Sequence, residues 1–261
     1  MITEQPPKLR NSARELRLLS SMATKRILTD LGDRVSQQLG RPLTIQSMGG
    51  VDAAQLLRAG HLVDVVVLAQ PALRALIDES ILVSGSETPL FRSQMVAAVR
   101  AEGETLDVTS EATVRSALKS SRLIGYSTGP SGAAVLDLVE RLGLGAQLRG
   151  RLVQAPPGVS VASMLLSGQA DLGFQQRSEM ADIAGLRILG PLPDSMAVDT
   201  IFSGAVHAGS GDPSSAARTL RLIADPANSK ILRRLGMELA ARVEGALVET
   251  HKSSAAKPSS T

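Results

Sequence analysis

The chain has 261 residues, 43% hydrophobic and 20% charged, enough for one large or two small globular domains with a real core. Its 28 Lys and Arg against 25 Asp and Glu leave a net charge of only +3, and three Phe, one Tyr and no Trp offer almost no stacking platform, so nucleic-acid and lectin-type readings are weak. Zero cysteine excludes disulfides, thiolate metal sites, iron–sulfur clusters and a Cys nucleophile.

Residues 1–13 are polar with no apolar export segment, so the expectation is a cytoplasmic protein, or a periplasmic one if a signal peptide has been removed. No run of about 18 apolar residues is present, and membrane insertion is not expected. Leu16–Ser20 reads as a buried strand. Met22, Ile27, Leu28, Leu31, Val35 and Leu39 then recur at helical spacing up to Gly40. A strand at Leu43–Ser47 leads through Gly49-Gly50 into a helix over Val51–Ala59. Val63–Ala69 has the near-continuous apolar character of a strand buried on both faces, and Pro71 opens the next helix.

A second unit follows. Strands are expected at Met95–Val99, Leu123–Tyr126, Leu152–Gln154, Asp171–Phe174, Leu186–Leu189 and Thr200–Val206. Helices are expected at Glu111–Ser120, Ala133–Leu142, Val159–Ser167, Pro213–Ala224 and Pro226–Leu235. This alternation predicts an α/β protein with mostly parallel sheets flanked by helices, in two subdomains. The Ser-, Ala-, Lys- and Pro-rich end from His251 reads as disordered.

One junction recurs: an apolar strand, then small polar residues, then a helix. It occurs at Ser20-Ser21-Met22, at Gly49-Gly50, at Ser127–Gly132 and at Pro157–Ser160. Free N–H groups and the helix dipole favour an anion there, and ligands of open α/β sheets lie beyond the carboxyl ends of the strands. Plain helix capping explains any one such junction equally well.

The segments LLSSMATKRILTDLGDR, SMGGVDAAQLLRAGHLVDVVVLA, IGYSTGPSGAAVLDLVERLG and LVQAPPGVSVASMLLSGQADLGFQQRSE, in this order, resemble the molybdate-binding (ModA-like) group of class II periplasmic binding proteins over about residues 14–240. That group also includes enzymes of the aconitate isomerase type. The resemblance implies two α/β lobes joined by two crossover strands, near Met95–Val99 and Thr200–Val206. The implied division is residues 14–93 with 203–245 as one lobe and 94–202 as the other, with disordered ends at 1–13 and 246–261. It implies one small carboxylate or oxyanion as ligand, no cofactor, no protein-held metal, and an ABC permease as partner only if the chain is exported.

By position, the implied ligand contacts are Ser20, Ser21, Met22, Gly49, Gly50, Ser131, Gly132, Ala133, Val159, Ser160, Gln175 and Gln176. Two departures from the group's pattern remove hydroxyl donors: Gly49-Gly50 replaces a serine, and Gln175-Gln176 replaces a tyrosine. An amide both donates and accepts, which suits an organic acid better than molybdate. Arg92 and Ser93, just before the first crossover, are further anion candidates, and Lys25 or Arg26 is a candidate for pairing with a carboxylate.

For a general base the options are Asp52, His61, Glu179 and His207, with Asp52 nearest the Gly-Gly turn. The competing role for Asp52 is a first-turn acid favoured by the helix dipole. Gly125–Gly129 matches G-x-S-x-G around Ser127, with Asp194 or Asp199 and then His207 in triad order. The expected helix begins too late for a nucleophile elbow. The expected function is binding of a small organic acid or oxyanion, leaning to a cofactor-independent isomerase. A solute-binding subunit or a non-catalytic sensor are the alternatives.

Overall fold

The computed structural model describes residues 14–240. The expected disordered ends, and residues 241–245 of the expected first lobe, lie outside these. In chain order the elements are β1 (Leu16–Ser21), α1 (Lys25–Leu39), β2 (Leu43–Met48), α2 (Gly50–Arg58), β3 (Val65–Ala69), α3 (Gln70–Asp78), β4 (Thr88–Arg100), α4 (Glu111–Ser120), β5 (Ile124–Tyr126), α5 (Pro130–Arg141), α6 (Gly145–Leu148), β6 (Leu152–Gln154), α7 (Val161–Leu166), β7 (Leu172–Gln176), α8 (Arg177–Met180), β8 (Leu186–Pro191), β9 (Asp199–Val206), α9 (Pro213–Ile223), α10 (Ser229–Arg234) and β10 (Glu238–Leu239). A single 3-10 turn, Met22–Thr24, precedes α1.

The protein is a two-lobed α/β molecule built on a curled mixed sheet. β2, β1 and β3 run parallel on one side, and β6, β5 and β7 run parallel on the other. β4 and β9 lie between them, antiparallel to each other and to β3 or β7. The first half of β4 pairs with β9, and its second half pairs with β7 and β8. This double role makes β4 longer than the expected Met95–Val99: pairing with β9 extends it back to Thr88, a stretch whose mixed polarity hides it from periodicity.

Strand alternation divides the core. Leu18, Val65 and Val67 point to the layer holding Ile27, Leu28, Leu220 and Leu232, while Leu19, Val66 and Leu68 point to that holding Leu57, Leu73 and Leu76. In the second lobe Met95, Ala97 and Val99 face Leu118, Val135 and Leu138, and Val96 and Ala98 face Val161 and Leu165. Each sheet is therefore covered on both faces, as its continuous apolar strands require. All three Phe residues (Phe91, Phe174, Phe202) are spent on this interior. Among the described residues, no helix is long and apolar enough to cross a membrane.

Candidate functional site

Between the lobes lies a cleft of about 540 Å³. It is lined at the ends of the strands by Ser21 and Met22 after β1, Gly49 to Asp52 after β2, Ala69, Pro71 and Ala72 after β3, Ser127–Ser131 after β5, Ala155–Ser160 after β6, and Gln175, Gln176 and Glu179 at β7 and α8. The strands end here because they run parallel within each lobe, which turns their carboxyl ends, and the helices that follow, towards one gap. The helices α1, α2, α3 and α5 thus direct N-terminal amides and the positive ends of their dipoles at the same space.

Twelve of the expected site residues line this cleft: Ser21, Met22, Gly49, Gly50, Asp52, Ser127, Ser131, Ala133, Val159, Ser160, Gln175 and Gln176. Four do not. Ser20 is fully buried under the cleft floor, its hydroxyl 2.7 Å from that of Ser47. Alternation along β1 turns it away from the ligand side. Gly132 is buried behind the turn that brings Ser131 and Ala133 to the cleft lining. Arg92 lies in a separate hollow at the crossover strands, ion-paired to Asp199 at 3.1 Å and to Glu238. Ser93, next to it, points inward and is buried, its hydroxyl 3.4 Å from the Ser178 N–H. Lys25 and Arg26 also miss the cleft; they lie at the outer seam beside Asp30 and Asp182.

The triad order is not assembled. Ser127 Oγ is 3.0 Å from Ser131 Oγ, and Asp199 pairs with Arg92. His207 is buried just past the end of β9, its Nδ1 accepting the Gly209 N–H at 2.9 Å, away from the cleft lining. Pro130 proves to be the first residue of α5, so two residues, Thr128 and Gly129, separate Ser127 from the helix. Among the described residues, no three His, Asp or Glu side chains gather in a metal-holding group.

Among the described residues, two buried side-chain atoms in the cleft wall have no partner: Ser21 Oγ, on a residue 6% exposed, and Gln176 Oε1, on a residue 2% exposed. An orphaned buried polar group costs about 1–3 kcal/mol, which a ligand can recover. Ser21 is placed as an N-cap yet makes no capping bond. Ser160, by contrast, is committed: it caps α7 by accepting the Ser163 N–H at 3.1 Å. Gln176 spends its Nε2 on Thr200 Oγ1 at 2.7 Å.

The charge inventory is distinctive. Among the described residues, the one cation in the lining, Arg58, is held by both oxygens of Glu79 at 2.7 and 2.8 Å. Attraction for an anion therefore comes from amides and hydroxyls. The acids are Asp52, whose exposed carboxylate folds back over Gly49, and Glu179. A Cβ at Gly49 would lie 2.6 Å from Asp52 Oδ2, so the Gly-Gly turn makes room for a local acid rather than only for a ligand.

Glu179 is the residue whose importance the sequence understates. Its side chain sits in the wall, where Gln175 Nε2 donates to Oε1 at 2.7 Å. The Gln175 amide is itself oriented, because its Oε1 accepts the Val161 N–H at 3.0 Å. Burial pushes the Glu179 carboxyl up to about 7, against the smaller downward pull of the Gln175 bond. Gln175 is thus a holder of Glu179, its carbonyl oxygen already engaged by the protein.

This raised value has a stability consequence. Below pH 4.5 the carboxyl is protonated both folded and unfolded; between 4.5 and about 7 the unfolded chain releases its proton first. Stability contributed by protonated Glu179 is therefore full below pH 4.5 and is lost as pH rises to about 7. Denaturant melts of the wild type and Glu179→Gln should diverge across that window and run parallel above it. Parallel curves throughout would contradict the buried environment.

A family model described as bacterial extracellular solute-binding protein matches residues 16–238. An aconitate isomerase from a Pseudomonas species is 27% identical over 178 residues, covering 67% of each chain. The periplasmic molybdate-binding protein of Azotobacter vinelandii shares the fold with a TM-score of 0.73 at 20% identity, over 86% of this chain and 99% of that one. The PBP AgtB from A. tumefaciens R10, solved with agropinic acid, has a TM-score of 0.68 at 12% identity, over 86% and 83%. With nearly the whole described chain inside the family model, this protein belongs to the bacterial extracellular solute-binding protein family.

Proposed function

We propose that the cleft binds a small unsaturated organic acid and moves one of its allylic protons without a redox cofactor, as an isomerase of the aconitate type. The observation that supports this reading is a carboxyl with a pKa near 7, Glu179, held at the wall of an anion cleft. A binding protein gains nothing from a buried acid facing its anion, whereas a proton-transfer enzyme works best with a group poised near the operating pH. Size points the same way. At about 30 Å³ of liquid volume per water, a cleft of about 540 Å³ holds far more than a four-oxygen oxyanion. Part of the lining is apolar, with Met22, Val51, Leu68, Val159 and Phe202 suited to a carbon skeleton.

In this scheme the carboxylates of the acid lie against the N-terminal amides of α1, α2 and α5 and the Ser21 hydroxyl. Ionised Glu179 takes a proton from the carbon between the double bond and a carboxylate. The electron pair of that C–H bond delocalises over the allyl unit and the carboxylate, where the amides stabilise the added charge. Glu179 then returns the proton at either end of the allyl unit. The double bond shifts or changes geometry, and no electron leaves the substrate.

Incubating the protein with cis- or trans-aconitate and following both by proton NMR tests the proposal. Interconversion above a protein-free control is expected, rising with pH through about 7 as Glu179 ionises. A second reading, delivery of a solute to an ABC permease, is favoured by family membership. It would be marked by a ligand-induced rise in melting stability, about 2.7 kcal/mol at 100 times Kd, with no interconversion. A stability rise from molybdate or tungstate and from no carboxylate would sink the isomerase proposal.

A further inference from the structure

Helix α8, which carries Glu179, is a single turn and cannot hold its own geometry in water. Three contacts from outside secure it. Gln175, on the preceding strand, holds the Glu179 carboxyl at 2.7 Å. Ser93 accepts the Ser178 N–H in the buried interior at 3.4 Å. Arg26 donates through Nη1 to the Ala181 carbonyl, one of the free acceptors at the end of α8. Asp182 then turns the chain away in a left-handed conformation, φ 55°.

Arg26 reaches α8 from the other lobe, and Ser93 reaches it from the crossover strand β4. Ser93 lies in the half of β4 that pairs with β9, opposite Thr200. Arg26 lies in the first turn of α1, whose Ile27, Leu28 and Leu31 are buried on the first sheet. The same α1 begins just past Ser21, at the anion end of the cleft. The base-bearing helix is therefore covalently part of one lobe and clasped by the other.

We propose that Arg26 is a positioning residue: by clasping the Ala181 carbonyl across the lobes it locks α8 against α1, so that Glu179 and the anion-binding turn at Ser21 move as one unit. This rests on the isomerase reading for its chemical meaning, and on the contacts alone for its structural content. A guanidinium–carbonyl bond is charge-assisted, stronger than a neutral hydrogen bond, and half-buried here. Its loss frees the short helix, and Glu179 turns towards water.

Other charged groups do not set the Glu179 environment in place of burial. Asp52 and Arg58 stand across the cleft on α2, with Arg58 tied to Glu79. Arg177, on α8 itself, faces the crossover hollow with Arg92, Asp199, Arg233 and Glu238. Lys25 and Asp182 lie in the outer seam with Arg26, and the described length of α7 has no charged residue.

The test is a carbon-13 NMR titration of the Glu side-chain carboxyls, with the Glu179 signal assigned by its loss in Glu179→Gln, in wild type, Arg26→Met and Arg26→Lys. The wild-type signal is expected to titrate near 7. Arg26→Met, which keeps the stem but not the donor, should lower that midpoint by about one unit, and Arg26→Lys should recover part of it. Turnover should fall about tenfold in Arg26→Met with KM changed by less than about threefold, the pattern of a misplaced base rather than lost binding. If Arg26→Met does not fold, Arg26→Lys is read for the same drop. An unchanged midpoint in the folded variant, or a wild-type midpoint in the ordinary carboxyl range, overturns the proposal. A lowered midpoint with no turnover in the wild type leaves the clasp standing and removes the isomerase reading; normal turnover with an unchanged midpoint does the reverse.

Discussion

Glu179→Gln should lower the interconversion of aconitate isomers by about 10²–10⁴-fold while changing binding affinity by no more than a few-fold. Glutamine keeps the shape of the side chain and still offers an oxygen to the Gln175 amide, which stands 2.7 Å away. It removes only the capacity to take up a proton. The control is Asp52→Asn, in the same cleft on the opposite wall. Asp52 is exposed and folded over Gly49, beside the start of α2, where an acid is favoured by the helix dipole whatever the cleft binds. Its replacement should cost less than tenfold in turnover. Steady-state assays by NMR or ultraviolet absorbance, with affinity from calorimetry, separate the two. If Asp52→Asn abolishes turnover and Glu179→Gln does not, the base belongs to the other wall.

The largest effect on folding is expected at Gly132. A Cβ there would stand 1.7 Å from the Ser127 carbonyl oxygen and 2.7 Å from its carbon, both backbone atoms that no rotamer change can move. The turn that carries Ser127 and Ser131 to the cleft wall exists only because the chain crosses itself at this bare position. Gly132→Ala should therefore destabilise the protein by about 3 kcal/mol, measured by urea unfolding, and should abolish binding by displacing Ser131. Gly129, three residues earlier, is the internal control. Its added Cβ meets nothing nearer than Ser127 Oγ at 3.8 Å, an ordinary contact, and φ there is −88°. Gly129→Ala should stay within about 0.5 kcal/mol of wild type. Equal costs at the two glycines would show that the turn is not built this way.

Much of the architecture was legible without coordinates, and for a local reason. Apolar runs such as Val63–Ala69 can be buried only as strands covered on both faces, and the spacing of Ile27, Leu28, Leu31 and Val35 presents one stripe only as a helix. The small-residue turns at Ser21, Gly49-Gly50, Ser131 and Ser160 follow from strand-to-helix order, and parallel strands bring such turns to one edge. Where alternation is absent, as in Thr88–Gln94, the strand is invisible, because its pairing with β9 is non-local.

The amino-acid sequence by itself determined which segments become strands and helices and which turns stand at helix starts, since these depend on neighbours a few residues apart. Only the tertiary structure decided what the charged side chains do. Arg92 passes from anion contact to ion-pair partner because Asp199 and Glu238 arrive beside it from β9 and β10. Arg26 becomes a clasp because Ala181 comes to it from the other lobe. Glu179 leaves the ordinary carboxyl range rather than standing at an exposed helix start because walls distant in sequence remove water from its carboxyl, and the cost of burying a charge is set by everything that surrounds it in space.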